Sequence, residues 1–354
     1  MVSACKVGSG YPGIRFPGKK GWVQKFHMNL TQTGKKFDAI LVAGEGESSY
    51  KVYHQHKAFL KINDRCIINY VVDALQKVNS IGEIYIVGLQ DRLKEVVNGE
   101  EMDFEYLKPI HFFPQRSNLY ENIWHTFLET IPGSEKVEDL KNSAYADKAV
   151  LIVPCDSPLL TSHEVEYFIN HSDIENQDHV LGLTSRQNLE YFYPKDGKPG
   201  IKMSYLHLKE NSYRINNLHL VKPIRIENRA YIQKMYQYRY QRNFKNLVLF
   251  GLSLLGKDKA KHYQYYFGLQ MCLLFASLGI DSMVEVFRSL TPKTALEKSI
   301  STILKTRFKS LEVPFPGAAL DIDNDKDYEA MKMRFNEWRE YLSHPENTLL
   351  PLSQ

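Results

Sequence analysis

Leu151-Ile-Val-Pro-Cys-Asp-Ser-Pro-Leu-Leu160 decides how this chain is read. An apolar run with strand character stops on one carboxylate, Asp156, and breaks at Pro158. Thr161, with Glu164 at the reciprocal position, is a capping box, so a helix begins at once and Asp156 sits on a short strand-to-helix turn. In α/β proteins the carboxyl ends of strands carry the chemistry, and such a turn can hold a metal ion. The same residues also fit a buried parallel strand whose last Asp merely caps a turn. The segments on either side must decide.

Composition narrows the field first. The chain has 354 residues, 43% of them hydrophobic, which suits one large α/β domain with an insertion, or two domains. Seven Lys or Arg and no Asp or Glu in residues 1–36 supply part of the formal charge of +4, so the remainder is close to neutral and charge gives no sign of a nucleic-acid partner. Cysteines at 5, 66, 155 and 272 lack paired spacing, which argues against a disulfide or zinc framework and for a reduced, cytoplasmic protein. No run approaches about 18 uninterrupted apolar residues, and Met271 to Ile280 is too short to span a bilayer.

Upstream of Asp156 the pattern alternates. Strands are expected at 38–43, 83–87 and 111–113, and helices at 65–78, 91–97 and 119–130, the last opened by Asn118 with Glu121 in the capping-box position. Downstream come a strand at 180–184 and two extended runs, 201–209 and 213–221, facing each other across Glu210-Asn211-Ser212 as a hairpin. Residues 1–36 read as a flexible extension, with Met28 an alternative start, and 37–228 as an α/β core. Residues 229–310 change to helical periodicity rich in Tyr and Lys, an insertion. The core returns over 311–345, with Asp321-Ile-Asp323 ahead of a helix at 325–342, and 346–354 form a tail.

The first strand empties into Ala43-Gly44-Glu45-Gly46-Glu47-Ser48-Ser49, with Lys57 following in His56-Lys57-Ala58-Phe59-Leu60. Two glycines let backbone N–H groups approach a phosphate or base, and a lysine offers a compact charge to phosphate oxygens. An ordinary tight turn explains Gly-x-Gly equally well; the spacing to Lys57 adds weight.

Taken together, this loop, Lys57-Ala-Phe-Leu, Arg116-Ser-Asn-Leu-Tyr-Glu-Asn122, Asp156-Ser-Pro-Leu-Leu and Asp321-Ile-Asp323 resemble the nucleotidyltransferase family of molybdenum cofactor guanylyltransferase type. The resemblance covers roughly 37–221 and 311–342. It implies a Rossmann-like GT-A fold, a mixed and mostly parallel sheet flanked by helices, that binds a nucleoside triphosphate at the strands' carboxyl ends. Mg²⁺ would be held by Asp156 with Asp321 or Asp323, which agrees with the ion's preference for one or two carboxylates plus phosphate and water. Ala43, Gly44, Gly46, Lys51, Lys57, Ser117 and Asn118 would contact the nucleotide, and Lys57 and Asp156 would carry catalysis. The implied reaction is attack by a small phosphorylated acceptor on the α-phosphorus with release of pyrophosphate. Asn118 is equally an N-cap.

Arg214 and Asn216 share a strand face by alternation and suit a forked grip on an acceptor phosphate, although a solvated outer face fits them as well. The family's usual loop carries an Arg where this chain has Ser48 and a Pro where it has His56, so a nucleotide-binding scaffold without activity stays open, with Lys51 a substitute for the arginine. A nucleotide-sugar glycosyltransferase of the same fold would show Asp-x-Asp where Asp156-Ser-Pro stands. In the insertion, Tyr263, Tyr265, Tyr266 and Phe267 lie beside Lys257, Lys259 and Lys261. That composition suits peripheral membrane contact or a pocket for a greasy acceptor, while packing as a lid or against a second subunit in a homodimer needs no lipid and is the default.

Overall fold

The computed structural model describes residues 34–44, 51–99, 108–136, 139–229, 231–232 and 259–348. Its centre is an eight-stranded sheet. Strand β1 (Phe37–Ala43) lies in the middle; after it come a two-residue hairpin, β2 (Lys61–Ile62) and β3 (Arg65–Cys66), then helix α1 (Ile67–Gln76) and strand β4 (Ile81–Gly88). Helix α2 (Gln90–Asn98), strand β5 (Ile110–Pro114), helix α3 (Leu119–Glu129), strand β6 (Val150–Pro154), helix α4 (Ser162–His171) and strand β7 (His179–Ser185) follow. Beyond a short helix α5 (Arg186–Leu189) come β8 (Leu206–His207), β9 (Ser212–Val221), helices α6 (Lys259–Ser277), α7 (Asp281–Arg288) and α8 (Lys293–Leu304), strand β10 (Phe308–Glu312) and helix α9 (Asp325–Ser343).

Spatial order is β10-β7-β9-β6-β1-β4-β5, with β8 hung on β9. Strand β9 runs antiparallel to β6 and β7, while the remaining long pairs are parallel. The inner strands read as continuous apolar runs because both their faces are covered. On one face Leu41, Leu151 and Val153 pack with Ile68, Val72 and Leu75 of α1 and Val165 and Phe168 of α4. On the other, Ile40, Tyr85, Val87 and Val150 meet Phe127 of α3. The chain winds one way from β1 to β4 and crosses back to β6, so β1 and β6 flank the switch point where open α/β sheets bind ligands. Gly44 and Asp156 both leave the sheet there.

One expected element changes character. Of the run 201–209 only Leu206–His207 pairs with β9. Ile201 and Tyr205 alternate as a strand would, but they bury with Phe192 against Met331, Phe335 and Trp338 of α9, and that second core replaces a ladder partner. Strand β9 also carries a bulge. Between Leu181↔His219 and Leu183↔Ile215, three β9 residues face Gly182 alone, and Asn217 takes a φ of 61°. The two extra residues leave the parity of β9 unchanged, and Asn216, Leu218 and Leu220 form one buried row.

Candidate functional site

Hydrogen bonding carries the β6 line one residue past the strand, through Cys155 N–H to Val42 O (3.1 Å), and then releases Asp156. Thr161 caps α4 by accepting from Glu164 N (3.3 Å), which fixes the turn. The carboxyl end of the chain is brought to the same place: Ile322 N–H donates to Asp156 O at 3.0 Å and Ser157 Oγ to Ala318 O at 3.3 Å. Asn324 caps α9 by accepting from Lys326 N and Asp327 N, which leaves Asp321 and Asp323 free of that duty. Carboxylate oxygens of Asp156, Asp321 and Asp323 lie within 4.8 Å of one another, the one such acidic trio among the described residues.

Two cations stand against these acids. Lys57 Nζ is 2.9 Å from Asp156 Oδ2 and 3.4 Å from Asp323 Oδ1. Burial alone would lower the Lys57 pKa, but Asp156 and Asp323 outweigh it and hold the ammonium above the usual lysine range. Arg214 donates from Nη2 to Asp321 (2.5 Å) and from Nε to Ala319 O (2.8 Å). Three carboxylates against two cations leave one negative charge, and burial followed by the Asp321 charge raises the Asp323 pKa. Hard oxygens on separate loops, spaced at the reach of one small divalent ion and its ligands, fit Mg²⁺ or a similar cation.

The lysine is aimed by a strained loop. Tyr53 and His54 take φ of 47° and 61°, and the turn is tied to α9 by Tyr53 N–H donating to Asp325 Oδ1 at 2.9 Å. Each non-glycine residue so placed costs about 1–2 kcal/mol. His56, standing where the family has proline, starts the 57–59 turn by accepting from Ala58 N at 3.1 Å. The hydrogen bond does what a fixed proline φ would do.

Gly44 lies so close to α3 that a Cβ there would sit 2.6 Å from Asn122 Nδ2. Asn122 accepts from Arg116 N (2.5 Å) and so holds the 116–118 loop beside Gly44. Asn118 accepts from Glu121 N (3.0 Å) as the α3 cap and donates to Ser117 Oγ. Lys51 is exposed at the far end of the glycine loop. Gly46 and Ser48 lie outside the described residues.

The proposed grip of Arg214 and Asn216 on an acceptor is not what the geometry gives. Arg214 is engaged by Asp321 and Ala319, and Asn216 is fully buried in one row with Leu218 and Leu220, where a Cβ on Gly182 would collide with its side chain. Asn217 instead accompanies Arg214, reaching Ala318 O at 3.5 Å. Arg186, half-exposed at the carboxyl end of β7, lies 3.9 Å from Glu190 and 5.9 Å from the Tyr205 ring, whose hydroxyl bonds that of Tyr193. Sequence reading named Asn122 only within a motif and Glu164 only as a capping-box residue, and it did not name Arg186. For Asn122 a signal existed, a polar residue one helical turn past the Asn118 cap and on the buried face.

Asp327, in the first turn of α9, has its pKa raised to about 6, chiefly by burial and then by Asp323. An unfolded Asp titrates near 3.9, so folding favours the protonated form: its contribution to stability is full below about pH 4 and is lost as pH rises through about 6. Asp327→Asn should therefore stabilise the metal-free protein by about 1–2 kcal/mol at pH 7.5 and by nothing near pH 4. Melting curves at the two pH values check this; a gain independent of pH contradicts it.

A mixed sheet with a glycine turn on its first strand, a lysine behind it and convergent acids at the switch point agrees with the resemblance drawn from the sequence. Residues 39–196 match the family described as the MobA-like NTP transferase domain. The matched stretch includes Lys57 and Asp156 and ends before Arg214, Asp321 and Asp323. The fold is shared with a hypothetical transferase from Thermus thermophilus at 19% identity and a TM-score of 0.53, over 82% of this chain and 99% of that one. A 4-diphosphocytidyl-2C-methyl-D-erythritol synthase from Anaerococcus prevotii is more distant, at 12% identity and a TM-score of 0.42 over 86% and 99% of the two chains. Comparison with curated proteins finds no match.

Proposed function

We propose that the protein transfers a nucleoside monophosphate from a nucleoside triphosphate to a small phosphorylated acceptor and releases pyrophosphate. The observation that carries this reading is the convergence of Lys57 with Asp156, Asp321 and Asp323 at the β1/β6 switch point. An acceptor phosphate oxygen attacks the α-phosphorus, the bond to the bridging oxygen breaks, and pyrophosphate leaves with the electron pair. An ionised acceptor needs no general base, so positioning and charge supply the rate. Gly44 lets the backbone approach the nucleotide, and Lys57 meets its negative charge. Asp156, Asp321 and Asp323 would hold Mg²⁺, which when bound neutralises phosphate charge. Arg214 positions Asp321, and Arg186, half-exposed and 3.9 Å from Glu190, takes the acceptor phosphate.

Pyrophosphate is followed with each NTP, Mg²⁺ and a panel of phosphorylated acceptors. Release that survives Asp156→Ala would sink the metal assignment, and turnover of nucleotide sugars instead would make the protein a glycosyltransferase. Arg186→Ala should raise KM for the acceptor about 10-fold or more, as for a lost charge-assisted hydrogen bond, with KM for NTP unchanged. A rise in both constants contradicts the assignment of Arg186 to the acceptor.

A further inference from the structure

Lys57 suits the phosphates of a nucleotide, yet without one it serves the acids. Its Nζ lies 2.9 Å from Asp156 Oδ2 and 3.4 Å from Asp323 Oδ1, and its side chain is only 18% exposed. The ammonium therefore spans two of the three carboxylates that would share an ion. Asp321, the third, is met separately by Arg214. Mg²⁺ binds carboxylate oxygens directly, at about 2.0–2.1 Å, and needs them clear of a hydrogen-bond donor.

Charge sets the ammonium and the ion in competition. With Lys57 in place, the three carboxylates and two cations leave one negative charge. With Lys57 withdrawn, the carboxylates and Arg214 leave two, which balance a dication. An ammonium kept at contact distance would repel that dication in a partly buried site, where screening is weak. The backbone permits the exchange. Phe59 N–H donates to His56 O (3.1 Å) and Leu60 N–H to Lys57 O (3.2 Å), and Ala58 and Phe59 are buried, so the turn stays while the four-carbon stem of Lys57 swings. Arg214 lacks this freedom, because its Nε donates to Ala319 O at 2.8 Å while Nη2 holds Asp321.

We infer that Lys57 is a place-holder for the metal: its ammonium occupies the acidic gap in the ion-free protein, leaves when a divalent ion enters, and passes to the triphosphate. The last step rests on the nucleotide reading proposed above, and the first two do not. Coupling of the two ligands follows. An ion that arrives alone strands a partly buried ammonium, whereas ion and triphosphate together give it a new partner. Each ligand therefore strengthens the other beyond the ion's own bonds to phosphate, and by the same factor in both directions.

Calorimetry with Mg²⁺ alone, and acylation of the full chain by acetic anhydride mapped by mass spectrometry, test the inference. Lys57→Met should bind Mg²⁺ about 10-fold or more tightly than wild type, the effect of removing a neighbouring like charge. In wild type, Lys57 should be acylated slowly without the ion, severalfold faster with Mg²⁺, and slowly again once an NTP is added, with the exposed lysines as internal references. Mg²⁺ that binds while Lys57 acylation stays unchanged overturns the inference, because the ion then sits beside the ammonium. Equal Mg²⁺ affinity in Lys57→Met and wild type overturns it too, and exposure that no NTP reverses overturns the passage to the triphosphate. Failure of both proteins to bind Mg²⁺ overturns it together with the metal assignment, so the two failures are told apart. The acylation arm uses wild type and does not depend on how the variant folds.

Discussion

Asp156→Asn is expected to lower turnover by about three orders of magnitude or more, the scale of removing a principal electrostatic group from a transition state, while leaving the metal-free fold at least as stable as wild type. The stability half follows from the charge count. Asp156, Asp321 and Asp323 face only Lys57 and Arg214, and burial already strains Asp323 toward protonation. Removing one carboxylate relieves repulsion, and an Asn oxygen still accepts from Lys57 at the same place. The backbone link from Ile322 N to Asp156 O needs no side chain. Melting with and without Mg²⁺ separates the two halves: wild type should gain from the ion and the variant should not. Turnover within tenfold of wild type, or a metal-free melting point several degrees lower, contradicts the assignment of Asp156.

Different parts of this architecture were legible in the sequence to different degrees, for physical reasons. Strands β1, β4 and β6 are buried on both faces, so their composition alone reveals them, and the caps at Asn118, Thr161 and Asn324 are local hydrogen bonds written in adjacent residues. Asp156 at a strand end and Asp321 with Asp323 ahead of a capped helix were legible for the same reason. The role of Arg214 was not. Asn216 continues the buried row of Leu218 and Leu220, while the partners of Arg214, Ala319 and Asp321, lie far along the chain and leave no local trace. The turn at Tyr53-His54 takes a conformation that usually calls for Asn-Gly, and only its anchor on Asp325, far along the chain, explains it. Tyr205 alternates like a strand residue because a second core, not a sheet neighbour, takes its side chain.

Glu164 is the residue whose role depends most on distant partners, and Gly317→Ala is expected to expose it. The Glu164 carboxylate is completely buried and accepts from Ala318 N–H at 3.0 and 3.1 Å, from Gly317 N–H and from its own cap residue Thr161. Burial pushes its pKa up, and these backbone donors oppose the shift. The capping-box glutamate thus also clamps the 317–319 turn that precedes Asp321 and Asp323. A Cβ on Gly317 would lie 2.3 Å from Leu159 O and 2.7 Å from Glu164 Oε2, so the turn must move away from the clamp. Forcing backbone apart at such a contact costs about 1–3 kcal/mol. Displacing the two acids from Asp156 by about 1 Å should also cost about 100-fold in turnover. Glu164→Gln should lose about 1–3 kcal/mol as well, because its amide NH₂ would face backbone N–H groups that need an acceptor. Unlike Asp156→Asn, both changes should lower melting temperature and turnover together. If Gly317→Ala melts like wild type while losing activity, the turn is not held by this clamp, and the convergence of Asp321 and Asp323 on Asp156 must rest on Arg214 and the Ile322 link alone.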